Sequence, residues 1–113
     1  MEIEAELKGK LEQLYNRVES LKDQINTEEA TKNAFIMPFL QILGYDVFNP
    51  TEVIPEYVAD IGTKKGEKVD YVIKKDDQVV IIIECKHWKE NINAHNSQLH
   101  RYYHVTDARF GII

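Results

Sequence analysis

The chain has 113 residues, enough for one domain with a modest core and too few for two. Its 43% hydrophobic and 29% charged side chains, with only 5 Gly and 3 Pro, exclude disordered and collagen-like classes, and its longest uninterrupted apolar run, Val79 to Ile83, falls far short of the roughly 20 residues that cross a bilayer. A formal charge of −5 argues against a tight, free-standing nucleic-acid binder, but residues 1 to 61 carry 5 basic and 12 acidic side chains whereas residues 62 to 113 carry 9 and 7, so any polyanion is expected on the C-terminal half.

Leu7, Leu11, Leu14, Val18, Leu21 and Ile25 alternate four and three apart, the stripe of an amphipathic helix with near-heptad period. One long helix is expected over residues 2 to 26, packed on the domain or on a second copy, so self-association through it is one expectation. Asn26 or Thr27 caps a second helix whose first turn holds Glu28 and Glu29 at the positive helix end. It runs to about Leu43, with Phe35, Phe39, Ile42 and Leu43 on its apolar face, a kink at Pro38, and Gly44 in the left-handed position that ends it.

Beyond Tyr45 the period changes. Pro50 and Pro55 interrupt Val47 to Tyr57, which reads as a loop leading into an edge strand over about Pro55 to Ile61, and Gly62 to Lys68 reads as a polar turn. Val69 to Lys75 alternates apolar with polar, Asp76-Asp77-Gln78 turns, and Val79 to Lys86 is β-branched on both faces like a central strand, so these two strands form a hairpin. Residues 91 to 105 hold no Gly or Pro and set Leu99, Tyr102 and Tyr103 at helical spacing, before a closing strand over Arg109 to Ile113. The order ααβββαβ implies an α+β or α/β fold, a mixed sheet flanked by helices.

The apolar central strand ends in Glu84-Cys85-Lys86, and alternation puts the Glu and the Lys on one face. The plainer reading is a strand-end ion pair reaching solvent. Asp70, on the preceding strand, adds to it: it lies opposite Glu84 if the hairpin loop has three residues, and opposite Ile83 if a two-residue turn forms at Asp76-Asp77. In the first register the two carboxylates repel unless a cation lies between them. One or two Mg²⁺ ions suit the pair, because Mg²⁺ takes one or two carboxylates together with waters and phosphate oxygens. Lys86 beside them donates to a phosphate or to the attacking water, and such a constellation hydrolyses phosphodiesters.

Asp70 followed by Glu84-Cys85-Lys86 resembles the PD-(D/E)XK nuclease signature, and more closely the N-terminal nuclease domain of type I restriction enzyme R (motor) subunits. The likeness runs through Thr27 to Lys32, Pro38 to Tyr45, Val69-Asp70-Tyr71, Ile83 to Lys86 and Gln98 to Tyr102, so it covers residues 27 to 113 and leaves residues 1 to 26 as a separate helix. It implies a restriction-endonuclease-like core and a Mg²⁺-dependent DNA endonuclease. Asp70 and Glu84 would be metal ligands, the Cys85 carbonyl a further one, Lys86 the residue that positions or activates water, and Gln98 with Tyr102 contacts to the site or the DNA backbone. The family's Glu near the start of the second helix maps onto Glu28, with Glu29 as the alternative. DNA and helicase or motor, specificity and methylation subunits are the implied partners, with no membrane. Since the family continues past the strand that holds Ile113, a piece of a longer protein or a small stand-alone relative is expected.

Other features weigh less. His100 and His104 have the spacing of a zinc pair but no third ligand in a recognisable position. His87 and Trp88 contact nucleic acid or, for the Trp, close a core, and Cys85 reads as a small buried hydrophobe. A lone cysteine and an N-terminus without the basic-then-apolar order of a secretion signal point to the cytoplasm. No Gly-rich phosphate loop ending in Gly-Lys-Ser/Thr occurs, so the chain is not itself an ATP-driven motor. The rival function is a non-catalytic nucleic-acid-binding or structural domain that keeps the fold; facing carboxylates favour the enzyme.

Overall fold

The computed structural model describes residues 2–61, 64–91 and 108–112. α1 (Glu2–Leu21) begins with Glu2 and Glu4 in its first turn, where the helix dipole favours acids, and continues into a 3-10 turn at Lys22–Gln24. Its apolar stripe is only partly covered. No α1 residue is buried and Leu7 and Leu11 stay exposed, while Leu14 shares a groove with Pro38 and Ile42. Among the described residues no helix is long and apolar enough to cross a membrane.

Of the two candidate caps, Thr27 is the one used: its Oγ1 accepts a hydrogen bond from the Ala30 amide at 3.0 Å. α2 (Glu28–Thr31), a π-helical turn (Lys32–Ile36) and α3 (Met37–Ile42) then run on without a break. Where a kink is expected at Pro38, a π-turn stands just before it. Pro38 has no N–H to offer, and just before it the ladder slips by one residue, with the Met37 amide donating to the Lys32 carbonyl. The Ala34 carbonyl, four residues before Pro38, accepts from Arg17 Nε at 3.3 Å, which ties α1 to this run. Gly44, at φ 98°, ends the helix; its amide donates to Gln41 and that of Tyr45 to Leu40, the paired bonds of a Schellman cap. Thr27→Ala should cost about 1 kcal/mol in a denaturant melt, because it orphans the Ala30 amide. An unchanged midpoint would mean that the cap contributes nothing.

β1 (Val53–Ile61), β2 (Lys64–Lys75), β3 (Gln78–Ile83) and β4 (Phe110–Ile112) form one sheet in that order. The first three pair antiparallel and β4 lies parallel to β3, so the sheet is mixed and the fold is α+β. β1 starts two residues before the expected Pro55, at the buried Val53. β2 starts at Lys64, because the ladder runs out to Ile61 opposite Lys64 and turns most of the polar stretch into strand. Paired backbone groups satisfy one another whatever side chains they carry. The helix expected over residues 91 to 105 lies outside the described residues from 92 onward.

Leu40, Val53, Tyr71, Ile73, Ile83 and Cys85 make one core layer, with Ile36, Met37 and Phe39 of the helical run packed on it; Val69, Val72, Ile82 and Ala108 make the other. Val72 and Ile82 are fully buried in the sheet centre, each contributing about 1.5–3 kcal/mol.

The hairpin combines both expected registers. Asp76 and Asp77 form a two-residue turn with left-handed φ of 52° and 63°, placing Lys75 opposite Gln78. The register then shifts between Lys74 and Ile73, leaving Val80 as an extra residue on β3, so that Tyr71 pairs with Ile83. Val80 and Ile81, consecutive in sequence, both pack on the helix-covered layer, as they do across a bulge, and the Val80 carbonyl accepts from the Arg109 amide at 2.8 Å. One step further along this register Asp70 faces Glu84. A bulge achieves what the three-residue loop was expected to do.

A second irregularity lies beside it. Glu56, between the pairs Pro55↔Tyr71 and Tyr57↔Val69, has φ 52° and faces Asp70. Alternation breaks there, since Tyr71 and Ile73 pack in the helix-covered layer while Val69 joins Val72 in the other. Asp70 is therefore not placed by alternation alone.

Candidate functional site

Asp70, within β2, and Glu84, just past the end of β3, meet side by side, Glu84 using the Asp70 backbone and Asp70 the backbone of Cys85. The Asp70 amide donates to Glu84 Oε1 at 3.2 Å, while the Cys85 amide donates to Asp70 Oδ2 at 2.8 Å. Glu84 is anchored on its other side by its own amide, which donates to the Ile112 carbonyl of β4 at 2.9 Å. The two carboxyl groups are thus held by short backbone contacts at the sheet end.

Glu84 is only 4% exposed. Burial pushes its carboxyl up to about 7; the negative charges of Asp70 and Glu28 act in the same direction, against the Asp70 amide bond and the Lys86 charge. Lys86 is half-buried and, among the described residues, makes no hydrogen bond or ion pair.

A cation is already present beside Asp70 as a side chain. Lys32 Nζ lies 2.7 Å from Asp70 Oδ1 and 3.8 Å from both Glu28 Oε1 and Glu29 Oε2, with its ammonium 5.8 Å from the centre of the Tyr71 ring. Burial alone would lower its pKa, but the Asp70 hydrogen bond and the charges of Asp70 and Glu29 outweigh that and hold the ammonium above its ordinary range. Sequence reasoning did not place Lys32 in the site. Its spacing from Glu28 signals an ordinary helix-surface pair, and nothing local shows that the helix will bring it to Asp70.

Cys85 sits between the two site residues with its side chain 2% exposed. Burial, then the Asp70 charge, push the thiol up to about 12, so it stays protonated near neutral pH and serves neither as thiolate ligand nor as nucleophile. His87 Nε2 and Trp88 Nε1 both lie 3.0 Å from the Ile25 carbonyl, the indole N–H donating to it. Lys22 and Lys89 lie over the Trp88 ring at 5.8 and 5.2 Å. Trp88 thus fastens the strand end to the segment following α1. Gln98 and Tyr102, with His100 and His104, lie outside the described residues.

The donors suit a hard divalent ion: Asp70 and Glu84 offer carboxylate oxygens, and Glu84 is a buried acid that a cation would allow to ionise. Of the two helix acids, Glu28 is the one whose charge reaches Glu84. Among the described residues no group of three or more His, Cys, Asp or Glu closes into a ready cage. Mg²⁺ does not need one, since it keeps several waters and uses one or two carboxylates.

A family model described as the type I restriction enzyme R protein N terminus matches residues 27–113. No curated protein and no solved structure matches the chain.

Proposed function

The chain belongs to the family of type I restriction enzyme R protein N termini, and from that premise we propose that it is the Mg²⁺-dependent DNA endonuclease module of a restriction system. Membership carries the restriction-system role; the cleavage chemistry rests on one observation, the backbone bonds that hold the Asp70 and Glu84 carboxylates together, with the Lys86 charge acting on Glu84. Residues 27 to 113 would form the nuclease unit, of restriction-endonuclease-like architecture, with residues 1 to 26 as an appended helix.

In this reading Asp70 and Glu84 hold the ion, with Glu28 and the Cys85 carbonyl completing the protein's share. Mg²⁺ supplies Lewis-acid polarisation of a phosphoryl oxygen and lowers the pKa of water. Glu84 would hold the ion as a carboxylate, since an adjacent cation would offset the burial and the negative charges that raise its pKa. Lys86 donates to the scissile phosphate or to the attacking water and offsets charge that grows on the phosphate oxygens. Gln98 and Tyr102 would contact the site or the DNA backbone. With a net charge of −5 the chain attracts DNA weakly, so motor, specificity and methylation subunits would deliver the substrate, in the cytoplasm.

The Lys32 to Asp70 ion pair favours a second reading, in which Asp70 is a structural counter-ion and the domain binds DNA or partner subunits without cutting. Supercoiled plasmid incubated with the complete restriction assembly separates the two. Linearisation with Mg²⁺ that stops on adding EDTA is the expected result, and intact plasmid in the presence of an assembly that still translocates DNA leaves the second reading standing.

A further inference from the structure

We propose that Lys32 is a tethered counter-ion that competes with divalent metal for Asp70, holding the acid cluster together until the metal displaces it. This rests on the metal-site reading above and assigns that site a residue which neither the nuclease signature nor the family match names.

Both oxygens of Asp70 are already engaged, Oδ2 by the Cys85 amide and Oδ1 by Lys32 at 2.7 Å. The first bond is a backbone anchor that fixes the carboxylate; the second is a movable charge on a flexible stem. A divalent ion that binds Asp70 places a second positive centre within a few ångström of the ammonium, and the two repel strongly because the Lys32 side chain is only 12% exposed. The ammonium has somewhere to go. Glu29, which has no place in the proposed ligand set, lies 3.8 Å from Nζ, so a small rotation exchanges Asp70 for that helix carboxylate without leaving the charge unpaired. Lys32 also opens the π-helical turn, a local widening of the helix that recurs at functional sites. Without metal, Lys32 thus offsets the repulsion between Asp70 and its acidic neighbours and keeps the site assembled; with metal, the same charge lowers the affinity of the site.

The test is calorimetric titration of the intact chain with Mn²⁺ and Mg²⁺, comparing wild type with Lys32→Met, which removes the charge and keeps most of the volume. About tenfold tighter binding by Lys32→Met is expected, as is binding by that variant where wild type binds none. Equal or weaker binding by a variant that still melts cooperatively overturns the competition. A measurement on wild type alone guards against a misfolded variant: acetylation of Lys32, followed by mass spectrometry with Lys74 as internal reference, should accelerate several-fold on adding Mg²⁺. An unchanged or slower rate overturns the proposal. Absence of divalent binding by both proteins removes the metal site itself, and the competition with it, an outcome distinct from binding that is indifferent to Lys32.

Discussion

Asp70→Ala is expected to abolish DNA cleavage and divalent-metal binding together, whereas Lys86→Ala abolishes cleavage and leaves metal binding largely intact. Asp70 supplies a proposed ligand oxygen and the acceptor that fixes the Cys85 amide, so its loss removes both the ion and the local geometry. Lys86 is not among the proposed ligands, and its proposed task is to donate to phosphate or water. Removing one such donor costs on the order of 10²–10³ in rate, and removing a metal ligand at least as much. Plasmid cleavage by the complete assembly, paired with metal titration of each variant, reads the two effects separately. Asp70→Ala also leaves Lys32 without its closest partner, so Asp70→Asn, which keeps an acceptor for the Cys85 amide, serves as the folding control. If both alanine variants cut at the wild-type rate, the nuclease assignment for this site is wrong.

The metal-free chain should lose stability as pH rises through the titration of Glu84, and Glu84→Gln should remove that loss. The folded carboxyl is raised from 4.5 to about 7, by burial first and then by the charge of Asp70 with that of Glu28, while Lys86 and the Asp70 amide oppose the shift. Ionisation is thus harder in the folded state than in the unfolded one. Its unfavourable effect is absent below about pH 4.5 and fully developed above about pH 7. With allowance for residual screening the loss is of the order of 2 kcal/mol, or roughly 10 °C in Tm for a domain of this size. Millimolar Mg²⁺ should flatten the profile, because an ion bound only by the folded, ionised site restores the lost stability by mass action. Melting curves from pH 4 to 8, with and without Mg²⁺, decide it: an identical slope in wild type and Glu84→Gln would show that this carboxyl does not govern the response.

How much of this site can be read from the chain depends on the range of the forces involved. The cap at Thr27, the left-handed Gly44 and the disruption at Pro38 follow from single residues acting on their nearest backbone neighbours, and the structure has all three. The alternation of Val69 to Lys75 and the β-branched run of Val79 to Lys86 likewise mark two strands before any packing is known, although β3 stops at Ile83 and leaves Glu84 to Lys86 beyond it. Residues 27–113 also match the type I restriction enzyme R protein N-terminus family, so the pattern Asp70, Glu84, Lys86 lies in a recognisable chain.

The juxtaposition within that pattern was decided by tertiary structure. From sequence, the two-residue turn at Asp76-Asp77 and the opposition of Asp70 to Glu84 are mutually exclusive; the fold has both, because Val80 is squeezed out of the ladder while its carbonyl bonds to Arg109 next to β4. The bulged residue's carbonyl bonds to Arg109, 29 residues further along the chain, a contact that no local pattern reports. Lys32 is the second case. It lies 38 residues before Asp70, and only the packing of the helical run on the Tyr71 and Ile83 face of the sheet turns a helix-surface lysine into the part-buried partner of Asp70. Short-range propensity and periodicity select elements and the residues that cap them; which charges meet is set by how those elements dock, since burial and distance control electrostatic energy and both are properties of the assembled fold.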